Sequence, residues 1–390
     1  MLKKLFMLIF ILIISSTLKL EAASHDTTPQ TEAISHVTLS NSEQAAAASY
    51  DIIIAGGGMG GSAAAIQASR MGARVLIIEP TELLGGQATA AGVSTMDDMS
   101  RQDSGLYREF INKVKDYYAK MRKSIATPYW KEHGRAFEPL VGHKILAEMA
   151  QSTDILYHAE VVDVKTLNSS KIITVKTSRD IKTFTCKILI DATEYGDIIP
   201  LAGAKYRSGN SVSPEIDLDR MIQDITWTAI IRKYPNGIPA HLKPKNPLPD
   251  YERAKKNYRA YVTANGFDFR NKYPVKMPVN FISHNAYRAV PDSFTPGSYP
   301  GNRKDWRLIS KAGVNWGNDY PGTYTWNGKR GLPVSYLEDK RVRLQIEREA
   351  LLKTLHFIYY IQHELGENWS VAHDEYNNKT LPEAAKGLPY

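Results

Sequence analysis

An apolar strand, Asp51-Ile52-Ile53-Ile54, runs straight into the glycine turn Gly56-Gly57-Gly58-Met59-Gly60-Gly61, and this junction constrains the fold more than any other stretch. A small-residue helix, Ser62 to Met71, follows the turn, and Arg74 to Glu79 reads as a second apolar strand. Together they form a βαβ unit of about 30 residues.

The spacing Gly56-x-Gly58-x-x-Gly61-x-x-x-Ala65 suits a dinucleotide. Gly56 permits a tight turn, Gly58 lets the backbone approach a pyrophosphate, and Gly61 with Ala65 allows close helix–sheet packing. The helix N-terminus offers free N–H groups and a positive dipole end to the phosphates. Glu79 lies 23 residues after Gly56. At the strand end its carboxylate can accept hydrogen bonds from both ribose hydroxyls and would repel a 2′-phosphate, which disfavours NADP. This motif alone does not separate FAD from NAD.

Two further segments carry a resemblance. Leu84-Gly85-Gly86-Gln87-Ala88-Thr89 follows the acid directly, and Ile188-Leu189-Ile190-Asp191-Ala192-Thr193-Glu194-Tyr195-Gly196-Asp197 is an apolar strand ending in Ala-Thr-x-x-Gly-Asp. Both resemble segments of FAD-binding proteins of the glutathione-reductase-like fold. With the continuation Ile198 to Ala204, the chain resembles the family of FAD-dependent oxidoreductases over roughly residues 50–205 and, more weakly, at Asn318-Asp319-Tyr320. The resemblance implies FAD as cofactor. It implies a backbone path along Gly85, Gly86 and Gln87 towards the flavin, adenine contact by Val161 in Ala159-Glu160-Val161-Val162, and a second fingerprint at Ala192, Gly196 and Asp197. For Val161 a core valine is the plain alternative, and Glu194 and Tyr195 read equally as structural.

The expected fold is α/β: a Rossmann-like FAD-binding domain with a parallel central sheet and a β-meander, an irregular aromatic-rich substrate or cap region, and a long C-terminal helix. Helices are expected over 105–123 and 141–151, and strands at Ile155 to Val164, Ile172 to Thr177 and Phe184 to Ile190. Ten of the 20 prolines fall between 234 and 300, which argues for irregular structure there. From Leu337 to Leu365 a helix is expected, with Leu351, Leu355 and Ile358 on one face and Gly366 ending it. The boundaries drawn are 1–23 for a signal peptide, 24–48 for a disordered linker, 49–205 for FAD binding, 206–336 for the cap, and 337–390 for the helical end.

Lys3 and Lys4 before the ten apolar residues Leu5 to Ile14, with Ala22-Ala23-Ser24 behind, read as a secretory signal, because a bilayer span needs roughly 20 residues. Export to the periplasm or medium, with no stable membrane insertion after cleavage, is the expectation. The formal charge of +8 is dispersed, and Lys3, Lys4 and Lys19 against Glu21 supply +2 of it. No block of five basic residues occurs, which leaves nucleic-acid binding unsupported. The one cysteine, Cys186, rules out an intrachain disulfide, a redox dithiol and cysteine-rich metal sites, and its apolar alternation suggests a buried strand. No metal is expected.

No second glycine fingerprint for NAD(P)H occurs, so hydride is expected to reach the flavin from a small organic substrate. His143 and His284 are the weak candidates for a base, each more readily a structural or surface histidine, while Asp97 and Asp98 read as turn or cap residues. After Asp197 no strand with a further Gly-Asp closes the sheet, so the family pattern is expected to continue past Tyr390. Two other classes compete: a non-catalytic protein keeping a relic dinucleotide site, and an NAD-dependent dehydrogenase.

Overall fold

The structure is a computed structural model describing residues 48–97, 104–121, 134–209, 222–243, 247–256, 258, 311–314, 318–322, 331–364, 366, 368–376 and 387–389. The expected signal peptide and all but the last residue of the linker lie outside the described residues, as do His284 and Asp98.

Strand β1 (Ala48–Ala55), helix α1 (Met59–Arg70) and strand β2 (Val75–Glu79) form the expected βαβ unit. Then follow β3 (Thr95–Asp97), α2 (Gly105–Lys120), β4 (Gly134–Ala136), α3 (Pro139–Met149), β5 (Asp154–Tyr157), β6 (Ala159–Leu167), β7 (Ser170–Thr177), β8 (Ile181–Asp191) and α4 (Ile198–Leu201). The remaining elements are β9 (Ala229–Lys233), β10 (Lys311–Val314), α5 (Ser335–Glu338), α6 (Lys340–His363) and β11 (Trp369–Val371).

The main sheet has the order β5-β2-β1-β8-β7-β6. Its first four strands are parallel, and β6, β7 and β8 form an antiparallel meander. Every residue of β2 is buried, as expected for a parallel strand covered on both faces. One face packs against α1, α2 and α3 through Ile54, Ile66, Phe110, Val114 and Ile145. The other face meets the meander through Ile53, Leu76, Ile173, Val175 and Cys186. Cys186 is buried in β8, as its alternation predicts, and burial pushes its thiol up.

Three expectations need correction. The single strand Ile155 to Val164 is two, because His158 between them has φ 53 and turns the chain out of β5. Its N–H donates to Thr81 O at 3.2 Å, which starts β6 beside the end of β2. Asp97 lies in β3, paired with β4, rather than in a turn or cap. The cap region is not wholly irregular: β9 is the centre of an antiparallel sheet with β10 and β11 on its flanks.

That second sheet shares one core with α6. Ile231, Tyr258, Val314, Phe357, Ile361, Trp369 and Leu388 belong to a single apolar cluster, so packing runs across the boundary drawn at 336. Leu351, Leu355 and Ile358 all join it, as their helical spacing predicts. Helix α6 starts at Asp339, whose carboxylate accepts the N–H of Arg341 at 2.8 Å, later than Leu337 because α5 is a separate turn. Among the described residues no helix is long and apolar enough to cross a membrane.

Candidate functional site

At the C-terminal end of β1 the chain makes a turn only glycine fits. Gly56 has φ 94, and a Cβ there would overlap the carbonyl of Ala192. The N–H of Gly56 donates to Ile78 O and that of Ala192 to Ala55 O, both at 2.8 Å, so the two fingerprints sit on neighbouring strands β1 and β8. Ala192 also packs its methyl against Gly61, where any side chain would collide with Gly56 O.

Glu79 closes the turn from the other side. It is 4% exposed, and its Oε2 accepts the N–H of Gly57 at 2.7 Å. Its Oε1 accepts from Thr81 N at 2.8 Å and Thr81 Oγ1 at 2.7 Å. The N–H of Gly85 donates to Gly57 O at 2.8 Å, and Gly58 and Gly85 form a bridge, which lays the second glycine pair alongside the first. Ser62, in the first turn of α1, donates its hydroxyl to Gly57 O at 2.8 Å.

These contacts gather Gly56, Gly57, Gly58, Gly61, Glu79, Gly85, Gly86 and Ala192 into one cradle at the N-terminus of α1. A Cβ at Gly57 would meet Leu84 Cδ2 and Glu79 Oε2 at 2.6 and 2.9 Å, so the cradle fits bare backbone alone. Met59 and Gly60 open α1, and Gln87 is exposed in the short turn Gly86–Ala88. Val161 sits on β6 beside a register shift of the β6–β7 pair, two residues along from the strand start that Thr81 fixes, and its side chain packs on the apolar cluster between sheet and meander. Val161 is thus a partly buried core side chain, the plain reading of that position.

The second fingerprint divides its carboxylates. Asp191 accepts from Thr193 N and Oγ1 through Oδ1, and from Ile198 N and Ile199 N through Oδ2, which caps α4. Gly196 turns with φ 71. Asp197 is gripped by both guanidinium nitrogens of Arg343 at 2.8 and 2.9 Å, so its carboxylate ties the loop to α6. Arg343 also stacks on the Tyr195 ring at 3.9 Å, and Tyr195 Oη donates to Glu347 at 2.7 Å. Glu194 is the acid that faces the cradle: its Oε1 would lie 3.3 Å from a Cβ on Gly58 and would collide with one on Gly86.

His143 is not a free base. Its Nδ1 accepts the N–H of Leu84 at 3.0 Å, and burial lowers its pKa against a smaller upward pull from Glu82, so it is a neutral prop for the segment leading to Gly85.

Sequence reasoning missed a buried charge cluster behind the Leu84–Ser94 segment. Lys311 on β10 is fully buried, and its Nζ donates to Glu138 at 2.8 Å, Asp374 at 2.8 Å and Glu375 at 2.5 Å. Burial pulls the ammonium down, but the charges of Glu375, Glu138 and Asp374 outweigh it and hold it well above its usual value. Arg232 reaches Asp374 at 3.0 Å, and Tyr118 Oη donates to Glu138 at 3.1 Å. Burial pushes the Glu375 carboxyl up to about 7 against the pull of Lys311. The three acids lie within 4.8 Å of one another, at a spacing that would suit a metal, and the cation among them is the Lys311 ammonium. The adjacent acids Asp374-Glu375 after an apolar strand were the one legible hint. The cluster ties the β9–β11 sheet to the start of α3, and nearby Tyr376 Oη donates to Thr89 O at 2.6 Å and Thr228 Oγ1 to Ala91 O.

No curated protein matches this chain. Solved structures that align with part of this chain include L-proline dehydrogenase from P. horikoshii, at 16% identity and TM-score 0.23, covering 37% of this chain and 22% of that one. A geranylgeranyl bacteriochlorophyll reductase-like protein from Thermoplasma acidophilum aligns at 19% identity and TM-score 0.31, covering 48% of this chain and 47% of its own. A flavoprotein/dehydrogenase from Cytophaga hutchinsonii aligns at 15% identity and TM-score 0.30, covering 47% and 45%. The chain thus spans under half the length of each of these three structures. A family model described as FAD dependent oxidoreductase matches residues 51–386. The chain therefore belongs to the FAD dependent oxidoreductase family, and its cofactor is FAD.

Proposed function

We propose that this chain oxidises a small organic substrate by passing hydride to FAD held in the Gly56–Gly61 cradle. The observation that carries the reading is Glu79, buried at the end of β2 and fixed by Gly57 and Thr81 where a ribose would meet it. In this reading the free N–H groups opening α1 and the backbone at Gly58 bind the pyrophosphate. The β6 backbone near Val161 receives the adenine. Gly85, Gly86 and Gln87 lead towards the ring, and Asp197 holds the loop beside it through Arg343. When bound, FAD supplies a two-electron acceptor.

The substrate side is proposed to lie where the β9–β11 sheet docks on the Leu84–Ser94 segment, since Thr228 and Tyr376 bond its carbonyls directly. Lys311 and its acids hold that docking rigid and exclude water from it. No base is assigned, because His143 is committed to Leu84. Export, with cleavage near Ala22 or Ala23, remains part of the proposal and rests on the Lys-Lys and ten-residue apolar start.

An absorption spectrum of the purified protein tests the reading. Bands at about 370 and about 450 nm, where oxidised flavins absorb, and their bleaching under anaerobic substrate are expected. Protein that stays colourless after incubation with FAD would defeat it, and retention of NAD would favour the dehydrogenase alternative.

A further inference from the structure

We propose that Glu194 is a counter-ligand of the FAD cradle: its carboxylate holds the space over Gly58 and Gly86 that the pyrophosphate takes, so FAD binds with uptake of a proton by Glu194. The inference rests on the cradle reading above and adds a pH-controlled gate to it.

The geometry is specific. Gly58 and Gly86 have no side chains, and the nearest group that a Cβ at either would meet, or at Gly86 overlap, is Glu194 Oε1. Gly86 has φ 49, a backbone only glycine adopts readily, so this side of the cradle is shaped with the acid in place. Among the described residues Glu194 accepts no hydrogen bond and makes no ion pair. The other two acids of its loop are committed, Asp191 to backbone N–H groups and Asp197 to Arg343.

The charged groups around it all point one way. Glu79 faces it from β2, the first turn of α1 carries no acid, and the turn Gly86–Ala88 carries no charge. Burial, and then the charge of Glu79, raise the Glu194 carboxyl above the usual carboxylate range. A diphosphate brought against it adds two negative charges and raises it further. The sign follows. FAD binds tightest below the pKa that Glu194 has in the free protein. Affinity then falls as pH rises towards the higher value it has in the complex, by up to tenfold per pH unit, and levels off above that.

The test loads the full chain with FAD and follows release of fluorescent flavin on dilution from about pH 5 to about pH 8.5, a range that brackets a raised carboxyl. The parent should lose affinity with rising pH. Glu194→Gln should show no such slope and should bind about tenfold or more tightly than the parent at the alkaline end. Glu194→Ala should flatten the profile as well, without any hydrogen bond from a new amide. A parent-like slope in both variants overturns the proposal, and so does weaker binding by both at every pH, which would make Glu194 a direct ligand of FAD. Gly58→Val separates this from the underlying site. Gly58 has φ −55 and ψ 179, which valine adopts, and no backbone atom crowds it below 4.0 Å, so the variant should fold with its cradle filled. If Gly58→Val keeps FAD at parent affinity, the cradle reading itself fails; if it loses FAD while Glu194 variants behave as the parent, only the gate fails.

Discussion

Glu79 Oε2 accepts the backbone N–H of Gly57 at 2.7 Å, joining the end of one parallel strand to the glycine turn that follows its neighbour, 22 residues earlier. One carboxylate therefore shapes the cradle, and the proposed function also gives it the ribose of FAD. Glu79→Ala should remove both contributions. Charge-assisted hydrogen bonds are worth roughly 1.5–3 kcal/mol, so FAD affinity should fall about tenfold or more, and the FAD-free protein should also melt lower because Gly57 N–H is left buried without an acceptor. Calorimetry with and without FAD checks both. Unchanged affinity would remove Glu79 from the ribose.

Lys311→Met should destabilise the fold far more than an ordinary surface change. It leaves Glu138, Asp374 and Glu375 buried together without the ammonium that reaches all three. Breaking a buried ion pair costs about 3–5 kcal/mol, which a urea titration resolves. Lowering the pH should restore part of the loss, because protonated acids no longer repel.

Glu375 predicts a pH dependence. Its carboxyl is raised to about 7 in the folded protein, so folding favours its protonated form. Its contribution to stability is complete below the unfolded value of about 4.3 and is lost as pH rises through the folded value. The loss amounts to about 3–4 kcal/mol, at about 1.4 kcal/mol per pKa unit. Glu375→Gln should flatten that part of the stability–pH curve and exceed the parent above neutrality. Parallel curves for parent and variant from about pH 5 to about pH 8 would contradict the assignment.

Export is checked by N-terminal sequencing of protein recovered from the periplasm or medium. A mature start next to Ala22 or Ala23 is expected. An intact Met1 on a membrane-embedded product would refute it.

The cofactor half was legible because its signals are local. The Gly56 turn, the apolar runs on either side and Glu79 lie within 30 residues, and the meander showed as alternation. The break at His158 was not, because a positive φ in a histidine is set by a tertiary hydrogen bond to Thr81. Strands β9, β10 and β11 have five, four and three residues and meet only through the fold, too short for a period to register. Lys311, Glu138 and Glu375 look one by one like surface residues, and only their convergence from distant segments buries them. The arginine that pairs with Asp197 lies 146 residues downstream, so that ion pair was not legible from the motif.

The parallel partner that completes β1 arrives late. Lys187 on β8 pairs with Asp51 on β1 at 2.7 Å across 136 residues of sequence. Ribosomes add about 5–20 residues per second, so the apolar strand that carries the glycine turn waits on the order of ten seconds during synthesis with one edge bare. A bare apolar edge is a template for strand addition from another chain. The nascent protein thus carries its glycine turn and a bare apolar edge on the same eight residues and their turn, and that edge stays open until residue 191 has emerged.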